Sequence, residues 1–180
     1  MRHAFAIALL VWLPGCAMMT REVRLPDPAL VARRGPALCV KVERLADVRP
    51  HPQKVGLVRN GFYASTADAI TKDDVAGWLT KALQNELSRG AQDCTAPALT
   101  VTGTVNDAFA DEYWNLDAKI SVTLKMSRAG KQLMDATFQG RALKVSMAGS
   151  SSEFEEILLA ALSDLLSTVG SAAANAAAAN

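Results

Sequence analysis

Six apolar side chains recur at every second position: Leu116, Ala118, Ile120, Val122, Leu124 and Met126. They alternate with Asp117, Lys119, Ser121, Thr123 and Lys125. A period of two belongs to a strand with one face in a core and the other in water. At 3.6 residues per turn a helix would scatter the same side chains around its axis. The segment therefore commits the chain to a β-sheet with one solvated face, and sheets of that kind are usually antiparallel. Neighbouring segments agree. Leu99, Val101, Gly103 and Val105 alternate with threonines, and Leu38, Val40 and Val42 alternate with Cys39, Lys41 and Glu43. Ser127-Arg128-Ala129-Gly130 supplies a tight turn in which Gly130 can take positive φ. Residues 133–145 then return as a partner strand, with Met134, Ala136, Phe138 and Ala142 on one face. Gly140 is expected to mark a bend or bulge there. Asn60-Gly61, between residues 55–59 and 62–65, is a strong hairpin signal.

Two segments switch to helical spacing. Val75, Trp78, Leu79, Ala82, Leu83 and Leu87 form one apolar stripe of a helix over 72–89, with Thr71 as N-cap and Gly90 as its stop. Phe154, Ile157, Leu158, Ala161, Leu162, Leu165 and Leu166 form the stripe of a second helix over 153–169, with Ser152 and Glu155 as a capping box. The expected fold class is α+β: an antiparallel β-sheet with two amphipathic helices packed on one face.

The N-terminus has a different logic. Arg2 and His3 precede ten uncharged, largely apolar residues, 4–13. Ten helical residues rise about 15 Å, half of a hydrocarbon core, which suits a signal peptide and not a spanning helix. Leu13-Pro14-Gly15-Cys16 resembles the bacterial lipobox. The resemblance implies cleavage before Cys16 and acylation of its thiol and new amine. One acyl chain binds a membrane marginally, at about 0.8 kcal/mol per buried CH₂, whereas two or three anchor stably. Ala17 follows the cysteine where an Asp would imply retention in the inner membrane, so the expected address is the outer membrane, periplasmic side, ahead of the inner membrane.

The expected organisation is a signal peptide over 1–15, a lipidated tether over 16–36, an α+β periplasmic domain over 37–170 and a disordered Ala-rich tail over 171–180. Four arginines and three prolines in the tether argue for an extended, soluble segment. Beyond Cys16, the chain has two cysteines, Cys39 and Cys94. An even pair in an oxidising compartment is a possible disulfide. The chain carries 19 basic and 18 acidic side chains, a formal charge of +1. A near-neutral domain without clustered Lys and Arg is not built to bind nucleic acid.

One larger resemblance adds to this. The lipobox is followed by Asp47-Val48-Arg49-Pro50, Val55-Gly56 and Arg59-Asn60-Gly61, and then by a helix carrying Asp74, Trp78-Leu79 and Leu83 to Leu87. Over roughly residues 38–145 this resembles the YajG-type uncharacterised bacterial lipoproteins. The resemblance implies an envelope location and a domain type. That family has no established activity, so no catalytic residue is carried over.

Chemistry-bearing residues are sparse. His51, between Pro50 and Pro52, is the one histidine left after cleavage. Neither a metal-ligand cluster, a phosphate-cradling glycine loop nor a nucleophile elbow appears, and no cofactor is expected. Asp73-Asp74 and Glu153, Glu155 and Glu156 sit where carboxylates favour helix N-termini. Asp107, Asp111 and Glu112 fall in an expected loop without calcium-loop spacing. Two aromatic pairs stand in polar surroundings, Tyr113-Trp114 and Phe62-Tyr63, and are candidate partner-binding anchors for an envelope protein or glycan. The reading is a non-enzymatic binding or accessory module held to a bilayer through Cys16. The rivals are an envelope hydrolase and a lipid-binding carrier.

Overall fold

The computed structural model describes residues 19–31, 38–88, 99–146 and 149–178. The segment 1–15 expected to be a signal peptide, Cys16, Gly90 and Cys94 lie outside them. The described strands are β1 (Met19–Glu22), β2 (Val40–Val42), β3 (Ala46–Asp47), β4 (Lys54–Arg59), β5 (Ser65–Ile70), β6 (Leu99–Glu112), β7 (Asn115–Arg128) and β8 (Lys131–Val145). The helices are α1 (Val75–Leu87) and α2 (Ser151–Ala178), with a 3₁₀ turn at Pro28–Leu30.

All eight strands join one sheet, in the order β1-β5-β4-β6-β7-β8, with β2 and β3 also paired to β6. β6, β7 and β8 form the antiparallel meander that the alternation predicted, with Val122 opposite both Val105 and Phe138. The sheet as a whole is mixed, which corrects the expectation of a purely antiparallel one. β2, β3 and β4 each run parallel to a successive stretch of β6, pairing Val40 with Leu99, Ala46 with Thr104 and Val58 with Glu112. One long strand thus has its free edge covered by three short ones. The pattern within a strand reports which face is buried and carries no information on the direction of its neighbour.

The inward side chains of β6 and β7 merge with the stripes of both helices into one core. α2 lies across β8, β7 and β6, and α1 packs against β2, β3, the 3₁₀ turn and α2. α2 is long and apolar enough to cross a membrane by length and composition. Its Phe154, Leu158, Leu162 and Leu166 are fully buried in the core. At Gly140 the ladder is unbroken, so the residue marks no bulge. A Cβ there would collide with the backbone of Ala161 and Leu165, so Gly140 is the point where α2 approaches the sheet.

Several boundaries shift for local reasons. The Asn60-Gly61 hairpin has a five-residue loop, since β4 ends at Arg59 and β5 begins at Ser65. α1 starts at Val75 because Asp74, and not Thr71, accepts from the Gly77 N–H at 3.0 Å. The capping box of α2 is Ser150 with Glu153, two residues before the expected pair: Glu153 Oε2 accepts from Ser150 N at 2.9 Å and Ser150 Oγ from Glu153 N at 3.3 Å.

Two stretches expected to be unstructured belong to the fold. In the segment read as a tether, β1 adds to the sheet beside β5, Val23 is buried, and Pro26 O accepts from Trp78 Nε1 at 2.7 Å. The alanine segment read as a disordered tail continues α2 to Ala178. Ala173 is buried, and Arg128 Nη2 donates to Ala177 O at 2.6 Å. Alanine has the highest helix propensity and needs no wide apolar stripe once a neighbouring surface is at hand.

Candidate functional site

At one end of the sheet the β4–β5 loop and the β6–β7 turn meet. In the loop, Asn60 Oδ1 accepts from Phe62 N at 2.9 Å and Ala64 N at 3.1 Å, an Asx-type turn that folds the chain back on itself. Tyr63 is forced to φ +63, a left-handed conformation that a bulky residue seldom adopts. Its ring stacks on Tyr113 with centroids 3.9 Å apart and an interplanar angle of 23°. Tyr113 Oη donates to Gly61 O at 3.2 Å, and the Tyr113 ring meets Trp114 edge-on at 5.5 Å. Arg59 clasps the arrangement from below. Its Nε donates to Asp111 at 2.9 and 3.1 Å, and its Nη1 to Tyr63 O at 3.3 Å.

The structure thus unites two aromatic pairs that are 50 residues apart in sequence. They form one outward surface: Phe62 is 92% exposed, Tyr63 64% and Trp114 63%. Exposed Val145, opposite Asn115 in the ladder, extends it across β8. Tyr63 and Tyr113 are stacked, and Phe62, Tyr63 and Trp114 are largely exposed, so the cluster adds little to the core.

Asp107, Asp111 and Glu112, expected in a loop, all lie on β6. They do not converge. Asp107 pairs with Lys119 at 3.5 Å, Asp111 with Arg59, and Glu112 turns into the core beneath the aromatic turn. Among the described residues no group of three His, Cys, Asp or Glu is placed to hold a metal. The sequence signal for this half of β6 is the alternation of Ala108 and Ala110, which the register shift at Asn106 puts out of phase with Leu99 to Val105.

Glu112 Oε1 accepts from Ser146 Oγ at 3.3 Å, and Oε2 has no hydrogen-bond partner. Burial raises its carboxyl above the ordinary range, against the Ser146 hydrogen bond and the Arg21 charge. The fold thus favours the protonated form more than the unfolded chain does. Its contribution to stability is full below the ordinary carboxyl range and is lost as pH rises through the raised value. Glu112→Gln is expected to raise the thermal midpoint at neutral pH, with the gain vanishing below about pH 4, where both side chains are neutral. Melting curves at the two pH values check this, and a lower midpoint for the variant at neutral pH contradicts it.

His51 is exposed on a loop tied down by Arg49, whose buried guanidinium donates to Asp47 Oδ1 at 2.9 Å and Oδ2 at 2.7 Å. Burial acts to raise the Asp47 carboxyl, and the hydrogen bonds from Arg49 outweigh it, so the group sits below its ordinary value. A crevice of about 560 Å³ opens between His51, Lys54 and Asp68, and one of about 150 Å³ between His51, Asn106 and Asp107. Lys54 and Asp68 neutralise each other at 2.6 Å. Neither lining contains a hydroxyl or thiol.

Of the acidic residues at the helix starts, Asp73 accepts from Leu25 N at 2.7 Å, Asp74 caps α1, Glu155 accepts from Arg24 N and Glu156 pairs with Lys144. Cys39 is half-buried and disulfide-bonded.

No family model matches the chain, and no curated protein matches it. Solved structures do. One is an uncharacterised protein at 10% identity and TM-score 0.54, covering 86% of this chain and 99% of that one. Another is a Xanthomonas campestris protein of the DUF330 family at 13% identity and TM-score 0.54, covering 84% and 92%. A candidate lipoprotein from Caulobacter crescentus follows at 14% identity, covering 58% and 84%, and its TM-score of 0.48 carries no weight for the fold. At these identities the likeness is one of fold alone.

Proposed function

We propose that the chain is a lipoprotein of the bacterial envelope, anchored through Cys16 on the periplasmic side of the outer membrane, whose domain binds a partner and performs no catalysis. The observation that carries this is Leu13-Pro14-Gly15-Cys16 closing a short apolar leader. A bilayer holds the acyl chains, and an envelope protein or glycan is the partner class for the domain. The disulfide on Cys39 supports an oxidising compartment. The close seating of α2 on Gly140 leaves a lipid carrier no cavity at that point between helix and sheet. Neither crevice beside His51 brings a serine, threonine or cysteine to pair with it, which favours the binding reading over a hydrolase with a Ser-, Thr- or Cys-type nucleophile.

Cells grown with a clickable palmitate test the anchor. The wild type is expected to take up label and sediment with membranes, and Cys16→Ser to lose both. Equal labelling of the two proteins refutes the reading.

A further inference from the structure

We propose that the aromatic end of the domain, Phe62, Tyr63, Tyr113 and Trp114, rests in the headgroup region of the same bilayer that holds the Cys16 acyl chains. The inference rests on the anchoring proposed above. Its evidence is where β1 begins. β1 runs parallel to β5 with Met19 beside Ala67. Ala67 lies two residues into β5, about 7 Å from the start of that strand at Ser65. The 60–64 loop sits directly above Ser65. Cys16 precedes Met19 by three residues, a span of at most about 11 Å. An acylated Cys16 therefore has no long tether. It is held within reach of the aromatic loop and far from the opposite end, because the β7–β8 turn lies 14 strand residues away, about 46 Å.

Anchoring at that distance leaves few orientations, and the surface facing the anchor has the composition of a membrane interface. Tyrosine and tryptophan, with an apolar body and a polar edge, concentrate at headgroup level. Phe62 supplies an apolar tip at 92% exposure, and Val145 adds a neighbouring apolar side chain at 76%. Beneath the loop Arg59 and Asp111 neutralise each other, and Asp117, exposed opposite Asp111 in the ladder, is the charge that the headgroups must accommodate.

The test uses the full acylated protein, purified from membranes and reconstituted into vesicles of phosphatidylethanolamine and phosphatidylglycerol doped with phosphatidylcholine brominated near the headgroup end of its chains. The chain downstream of Cys16 has two tryptophans, Trp78 and Trp114, and Trp78 is buried. Emission is expected to fall by roughly half, the share of the one tryptophan at the interface. Trp114→Ala, and Trp114→Tyr as a milder variant, should leave an emission that bromine does not quench. The mass of the Cys16 peptide is read on the same sample. An acylated, vesicle-bound protein whose emission is unquenched overturns the inference and leaves the anchor standing, as it would if the aromatics face a protein partner instead. An unacylated Cys16 overturns both.

Discussion

Gly140→Val is expected to cost about 3 kcal/mol or more, above the usual range for overpacking. An ordinary core insertion is relieved when flexible side chains turn aside. At Gly140 the new Cβ would meet the carbonyl of Ala161 and the amide of Leu165, which belong to the backbone of α2. The helix must lift from the sheet as a unit, and lifting it exposes the stripe of Phe154, Leu158, Leu162 and Leu166, all fully buried. Against a total stability of roughly 5–15 kcal/mol this is a large share. Gly61 is the matched control: a Cβ at that position would have nothing within 4 Å, and Gly61→Ala is expected to change little. Urea denaturation of the two variants decides it. Equal midpoints would mean that α2 does not rest on Gly140.

Loss of the disulfide on Cys39 is the second large effect. If Cys16 is acylated, Cys94 is the remaining cysteine for the bond, 55 positions along the chain. Cross-linking a loop of that length restricts the unfolded chain by about 4 kcal/mol in the chain-entropy treatment. Cys39 adjoins β2, and its carbonyl accepts from Leu99 N at 3.1 Å at the start of β6. Cys39 thus sits where the three-residue β2 meets the start of the 14-residue β6. Cys39→Ser is expected to lower the urea midpoint and to release one trappable thiol, mapped by mass to Cys94. A Cys39 that is alkylated without reductant contradicts the bond.

What was legible in the chain was local. The two-residue period located β6 at its start, β7 and β8, and the apolar stripes located both helices within a few residues of their starts. The Tyr113-Trp114 and Phe62-Tyr63 pairs stood out because large aromatics in polar surroundings have no local reason to be there. The rest had a weak or interrupted local signal. The end of β6 was hidden by the register shift near Asn106. Residues 19–31 looked extended because their prolines exclude a long helix, yet prolines do not exclude an edge strand or a 3₁₀ turn. The alanines of α2 show no broad stripe, and they are helical because Arg128 and the core give them a surface to lie on.

The amino-acid sequence by itself determined the faces of the strands and helices and the presence of unexplained aromatics, because each depends on neighbours a few positions away. Tertiary structure alone decided the parallel pairing of β2, β3 and β4 along β6, the contact of α2 with Gly140, and the merging of two aromatic pairs beside the start of β1. Those depend on which distant segments share a hydrogen-bonded edge, and strand pairing is chosen by the whole core at once.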